Sequence, residues 1–110
     1  IMITYYPIGT IVTLENLEPS QFMIAGYLPK RADSKPYDYF GVSFPLGLLD
    51  ETDYICFNHV SITDVVHKGY SNEACQEFIS SLDTFGEALR TAIINAAYKG
   101  EKEGDVHGES

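Results

Sequence analysis

Tryptophan is absent from this chain, cysteine occurs twice, and lysine plus arginine number 7 against 16 aspartates and glutamates. Each scarcity removes a class of function. The formal net charge of −9 would repel a phosphate backbone. The excess acid is spread, with 4 basic and 8 acidic residues in 1–70 and 3 basic and 8 acidic in 71–110. Nucleic acid is therefore a poor partner, and a basic or neutral protein suits the electrostatics better. Two cysteines cannot build a disulfide framework. Cys56 and Cys75 lie in different elements among apolar neighbours and read as buried reduced thiols, a single disulfide or a reactive thiol being the alternative. No apolar run approaches the ~20 residues of a membrane span, and no leader precedes the first strand, so cytoplasmic residence is the expectation. Gly41, Gly47 and Gly69 are isolated and form no phosphate cradle, GxGxxG or Walker pattern.

What the chain does contain is a change of period near Tyr70. Before it, short β-rich runs alternate with Pro, Gly, Asn and Asp. Strands are expected at Ile8–Glu15, Phe22–Leu28, Tyr37–Phe44, Tyr54–Asn58 and Val65–Tyr70. Asn16–Ser20 with Pro19 reads as a turn, Lys30–Pro36 as a polar loop with the only basic cluster, and Pro45–Asp53 as an acidic loop. Gly41 inside the third strand marks a bulge or a close backbone approach. The segment Asn58–Asp64 fits a single 3₁₀ turn. The fold class is therefore α+β, with a five-stranded curled antiparallel sheet or small Src-homology-3-like barrel followed by a long C-terminal amphipathic helix. An open five-stranded meander is the alternative.

The helix is expected over residues 72–99, capped by Ser71 or Asn72. Cys75, Phe78, Ile79, Leu82, Phe85, Leu89, Ala92, Ile93, Ala96 and Ala97 follow one stripe. Several strands carry apolar residues on both faces, and the helix is the available cover. The domain plan is a strand-rich module at 1–71, the packed helix at 72–99, and a disordered acidic tail at 100–110. A helix of about 27 residues spans roughly 40 Å, against about 20 Å for a strand. Its second half is thus expected to outrun the sheet and dock onto another chain through Phe85, Leu89, Ile94 and Tyr98. A kink at Gly86 that folds the helix back as a hairpin is the competing expectation.

Candidate chemistry is sparse. Asp50, Glu51 and Asp53 lack the ligand number and glycine position of a calcium loop and read as a solvated acidic loop. His59 and His67 have no zinc spacing and read as structural histidines. A thiol triad of Cys56, His59 and Asp64 is disfavoured by sequence proximity and by the absence of an obvious cleft in a small barrel. Tyr37 and Tyr39 beside Lys35 look like a base-stacking platform, which the net charge and Asp38 oppose. No catalytic residue, metal or cofactor is assigned, and the chain reads as a non-enzyme.

Four ordered blocks carry a family likeness: Pro7–Val12, Met23–Tyr27, Tyr37–Val42 with Pro45 and Gly47, and Phe57–His59 with Ile62, Val65, Gly69 and Tyr70. Together they resemble domain-of-unknown-function family 4176 over residues 7–70. The resemblance implies a small cytosolic protein of Gram-positive bacteria, encoded beside type VII secretion genes and LXG-type toxins. It implies no catalytic residues. The expected function is that of an adaptor or chaperone-like accessory engaging the helical region of a secreted toxin, with self-association through the helix left open. An immunity protein presenting Asp50–Asp53 to a basic toxin cleft is the alternative. A small-barrel nucleic-acid binder comes third.

Overall fold

The computed structural model describes residues 3–29 and 36–103. The strands are β1 (Ile11–Leu14), β2 (Gln21–Tyr27), β3 (Tyr39–Phe44), β4 (Ile55–Phe57) and β5 (Ile62–His67). One 3₁₀ turn, His59–Ser61, separates β4 from β5, and α1 (Glu73–Glu103) follows. All pairings are antiparallel, in the order β4-β3-β2-β1-β5. The chain is thus α+β, as its patterning indicates. The sheet is not a plain meander, because β5 crosses over to pair with β1. It is open, with β4 and β5 as its edges and, among the described residues, no ladder between them.

The register shows which side chains share a face. Val12 opposes Phe22, Phe22 opposes Ser43, Ile24 opposes Gly41, and Tyr39 opposes both Tyr27 and Phe57. That face carries the main core of Val12, Leu14, Phe22, Ile24, Tyr39 and Phe57, with Ile62 and Val65 of β5 against it. Register shifts in β1 and between Ile24 and Gly26 mark bulges, which bend and twist the strands. Gly41 makes the close approach its position suggests: a Cβ there would sit 2.6 Å from the Met23 carbonyl oxygen. Asn16, at φ 69°, turns the chain out of β1, in the left-handed region that Asn tolerates.

Asn72 caps α1. Its Oδ1 accepts the Cys75 N–H at 2.8 Å, and its carbonyl accepts the Gln76 N–H at 2.9 Å. Ser71 contributes differently, accepting a bond from the Gln76 side chain. Ile79 and Leu82 are each 4% exposed and join the main core, with Cys75 packed beside them. Burying two such side chains contributes about 1.5–3 kcal/mol each. The helix therefore seals the core-facing side of the sheet, and the expectation that it shields the opposite face is corrected. On that other face Ile11, Met23 and Val42 form a cross-strand row that shelters itself, leaving Ile11 and Val42 buried.

Among the described side chains of α1, the buried positions fall within residues 73–86, a stretch of 14 residues. Gly86 is buried and neither breaks nor reverses the helix, so the hairpin expectation falls. The expected tail from residue 100 is helical through Glu103, and residues 104–110 lie outside the described residues.

Candidate functional site

Two groups of side chains stand out: a closed aromatic and polar cluster at one end of the sheet, and an exposed aromatic face on α1. The closed cluster begins with the segment before β1. Tyr5 is 2% exposed and meets Tyr27 and Tyr39 edge-on, with ring centroids 5.7 and 5.5 Å apart. The Tyr39 hydroxyl accepts the Tyr6 N–H at 3.0 Å and lies 2.8 Å from His59 Nδ1. The Tyr27 hydroxyl donates to the Tyr6 carbonyl at 2.6 Å. Tyr6 itself stacks on His59 at 5.1 Å.

Asp38, almost fully buried, ties the same region together. Its Oδ2 accepts the His59 N–H at 2.8 Å, and its own N–H donates to Asn58 Oδ1 at 3.0 Å. The backbone of the 3₁₀ turn is thereby tied to the start of β3 by two hydrogen bonds. Burial pushes the Tyr39 phenol well above its ordinary range and the Tyr27 phenol up to about 12. Both phenols hold their protons firmly, and their contacts clasp the N-terminal segment to the sheet.

His59 is accordingly structural, bonded to Tyr39 and stacked on Tyr6. The thiol triad does not assemble: Nδ1 of His59 is turned to Tyr39, while Cys56 and Asp64 sit on the two edge strands. Neither cysteine is in a disulfide, and both are half-buried rather than buried. The stacking platform, which the net charge opposes, is not presented either, because Tyr39 is completely buried and its ring faces Phe57 and Tyr5. His67 is exposed on β5, opposite Ile11. Among the described residues, no three His, Cys, Asp or Glu side chains are placed to hold a metal ion. Among them too, no helix is long and apolar enough to cross a membrane.

On α1 the geometry divides the helix. Cys75, Ile79 and Leu82 face the core, whereas Phe78 and Phe85 are 54% and 58% exposed. The two phenylalanines are seven positions apart, so they lie on one face, two turns apart. Ser81, Ala88 and Ala92 continue that three-and-four spacing and are also exposed. Phe78 is anchored at its edge, its ring 5.9 Å from that of Tyr27. Of the four expected anchors, Phe85 is thus presented to solvent. The side chains of Leu89, Ile94 and Tyr98 lie outside the described residues.

Sequence reasoning missed the roles of Tyr5, Tyr6 and Asp38. A signal for the first two was present in the hydrophobic approach Ile3–Pro7 ahead of β1. Asp38 between two tyrosines carries no comparable signal, since an acidic residue before a strand reads equally well as solvated.

The chain belongs to the DUF4176 family, a domain of unknown function, whose model matches residues 5–78. The match takes in the N-terminal clasp, all five strands and the first turn of α1. No curated protein and no solved structure matches the chain.

Proposed function

We propose that this DUF4176 protein is a non-enzymatic, cytoplasmic protein-binding accessory of a type VII secretion toxin system, engaging a helical region of its partner through α1. The observation that carries the reading is the pair Phe78 and Phe85, each more than half exposed along the edge of α1 that flanks its core-facing stripe. Exposed aromatics at helical spacing are costly in water and favourable in a helix-to-helix interface, where such side chains dominate affinity. The small exposed residues Ala88 and Ala92 on the same face would admit a close-packed partner helix. The net charge of −9 favours a neutral or basic partner surface.

The strand order, with β5 returning to β1 after a single 3₁₀ turn, supports a Src-homology-3-like plan for the sheet. In this reading the sheet is a platform and the helix is the working surface.

Co-expression with the separated halves of the neighbouring LXG toxin tests the proposal. Recovery with the N-terminal helical half, abolished by Phe85→Asp or by Ile94→Asp with Tyr98→Ala, is the expected result. Recovery with the catalytic half alone would overturn it and favour an immunity role.

A further inference from the structure

The β3–β4 connection presents a second surface that the helix does not account for. Read as acidic from sequence, this loop is apolar in its first half. Phe44, Leu46, Leu48 and Leu49 are 47%, 67%, 59% and 73% exposed. A single exposed leucine is ordinary, but four large apolar side chains within six residues form a patch of the kind that marks a binding surface. Beside it opens a pocket of about 350 Å³ lined by Phe22, Ser43 and Ile55 of the sheet and by Leu46, Leu49 and Tyr54. The loop is held by its own bonds. Gly47 N–H donates to the Ser43 carbonyl at 2.7 Å and Asp53 N–H to the Asp50 carbonyl at 2.8 Å. Asp50 Oδ1 accepts both the N–H and the hydroxyl of Thr52, at 3.0 and 3.1 Å.

The charge around this patch has one sign. Asp50, Glu51 and Asp53 are exposed on the loop, and no lysine or arginine occurs anywhere in residues 36–67. The Thr52 hydrogen bonds hold the Asp50 carboxyl below its ordinary range, which keeps it ionised.

We infer that this face binds a basic amphipathic polypeptide segment, one large apolar side chain entering the pocket while lysines or arginines meet Asp50, Glu51 and Asp53. The charge selects the occupant. An anionic lipid surface would be repelled by the rim, and a second copy would bring the same acidic rim and the same net charge of −9. The pocket stands at the small end of ligand cavities, roughly 300–1,000 Å³, and suits a side chain. This surface is separate from the α1 face and stands whether or not the helix binds its partner.

Titrating the ¹⁵N-labelled full chain with synthetic leucine–lysine and leucine–glutamate peptides of identical leucine pattern tests it. The lysine peptide should shift amide signals of residues 44–54. Its affinity should fall about tenfold in Leu46→Ser with Leu49→Ser, as expected for loss of apolar anchors. It should fall several-fold in Asp50→Asn with Asp53→Asn, and weaken with salt. All four side chains are exposed, so the spectrum elsewhere should be unchanged and report an intact fold. Equal binding by the glutamate peptide or by oligolysine, shifts confined to α1, or undiminished affinity in the leucine variant would each overturn the inference. Binding to phosphatidylglycerol vesicles, or self-association in sedimentation equilibrium, that the leucine variant abolishes would overturn it in favour of a lipid or a second copy.

Discussion

Replacing Tyr39 by Phe removes one oxygen from the centre of the N-terminal clasp and leaves the packing almost untouched. The ring is fully buried and stacks on Phe57 at a centroid distance of 5.4 Å, contacts that phenylalanine preserves. What is lost is the acceptor for the Tyr6 N–H and the hydroxyl at His59 Nδ1. A buried donor or acceptor stripped of its partner costs about 1–3 kcal/mol. Both orphaned groups are only partly buried, so the variant should lose about 1–3 kcal/mol in total rather than twice that. At about 4–8 °C for each kcal/mol in a domain of this size, the fall in Tm is easily read by circular dichroism. Hydrogen exchange adds the local signature: the Tyr6 amide should lose protection while amides in the middle of β2 do not. Tyr27→Phe acts on the same residue through the Tyr6 carbonyl, so the two substitutions together should be non-additive. A loss below about 0.5 kcal/mol, within the range of ordinary surface substitutions, with Tyr6 protection unchanged would refute the clasp.

Three further outcomes follow from the same packing. Leu82→Ala should cost about 2–5 kcal/mol in urea unfolding, because its side chain sits in the main core and leaves a cavity. Asn72→Ala should lower stability by about 0.5–2 kcal/mol through the lost bond to the Cys75 N–H, and Asn72→Gly by much less. Raising pH should destabilise the fold in a defined window. The folded protein keeps the Tyr27 proton up to about pH 12 whereas the unfolded chain releases it near 10, so stability is full below about pH 10 and is lost toward 12. Tyr39, held higher still by burial, extends the loss, and absorbance of tyrosinate during alkaline unfolding reports both.

The strands were legible because their β-branched runs are bounded by strong punctuation at Asn16, Pro29, Pro45 and Asn58. The 3₁₀ turn was legible because a polar segment of that length has few other options. The crossover of β5 onto β1 is a non-local choice that no local pattern encodes, so periodicity could not decide between a closed barrel, a meander and this open order. The helix stripe marks Ile79 and Leu82 as core positions, but it also takes in Phe78 and Phe85, which are exposed, and it does not show which side of the sheet the helix covers. Alternation along a strand marks two faces without saying which one a distant helix will cover. The apolar character of Phe44–Leu49 was present in the sequence, but the neighbouring Asp50, Glu51 and Asp53 drew the reading toward a solvated loop.

The central claim is that α1 turns an aliphatic stripe inward to fold and leaves an aromatic edge exposed to bind. Calorimetric titration of the helical half of the proposed toxin partner into the wild-type chain and into Phe85→Asp, each with its melting temperature, tests this directly. The account predicts that the variant melts within about 0.5 kcal/mol of wild type, as an exposed position should, while its affinity for the helical half drops by two orders of magnitude or more, to about 3 kcal/mol weaker. A variant that unfolds, or one that binds as tightly as the parent, would contradict it.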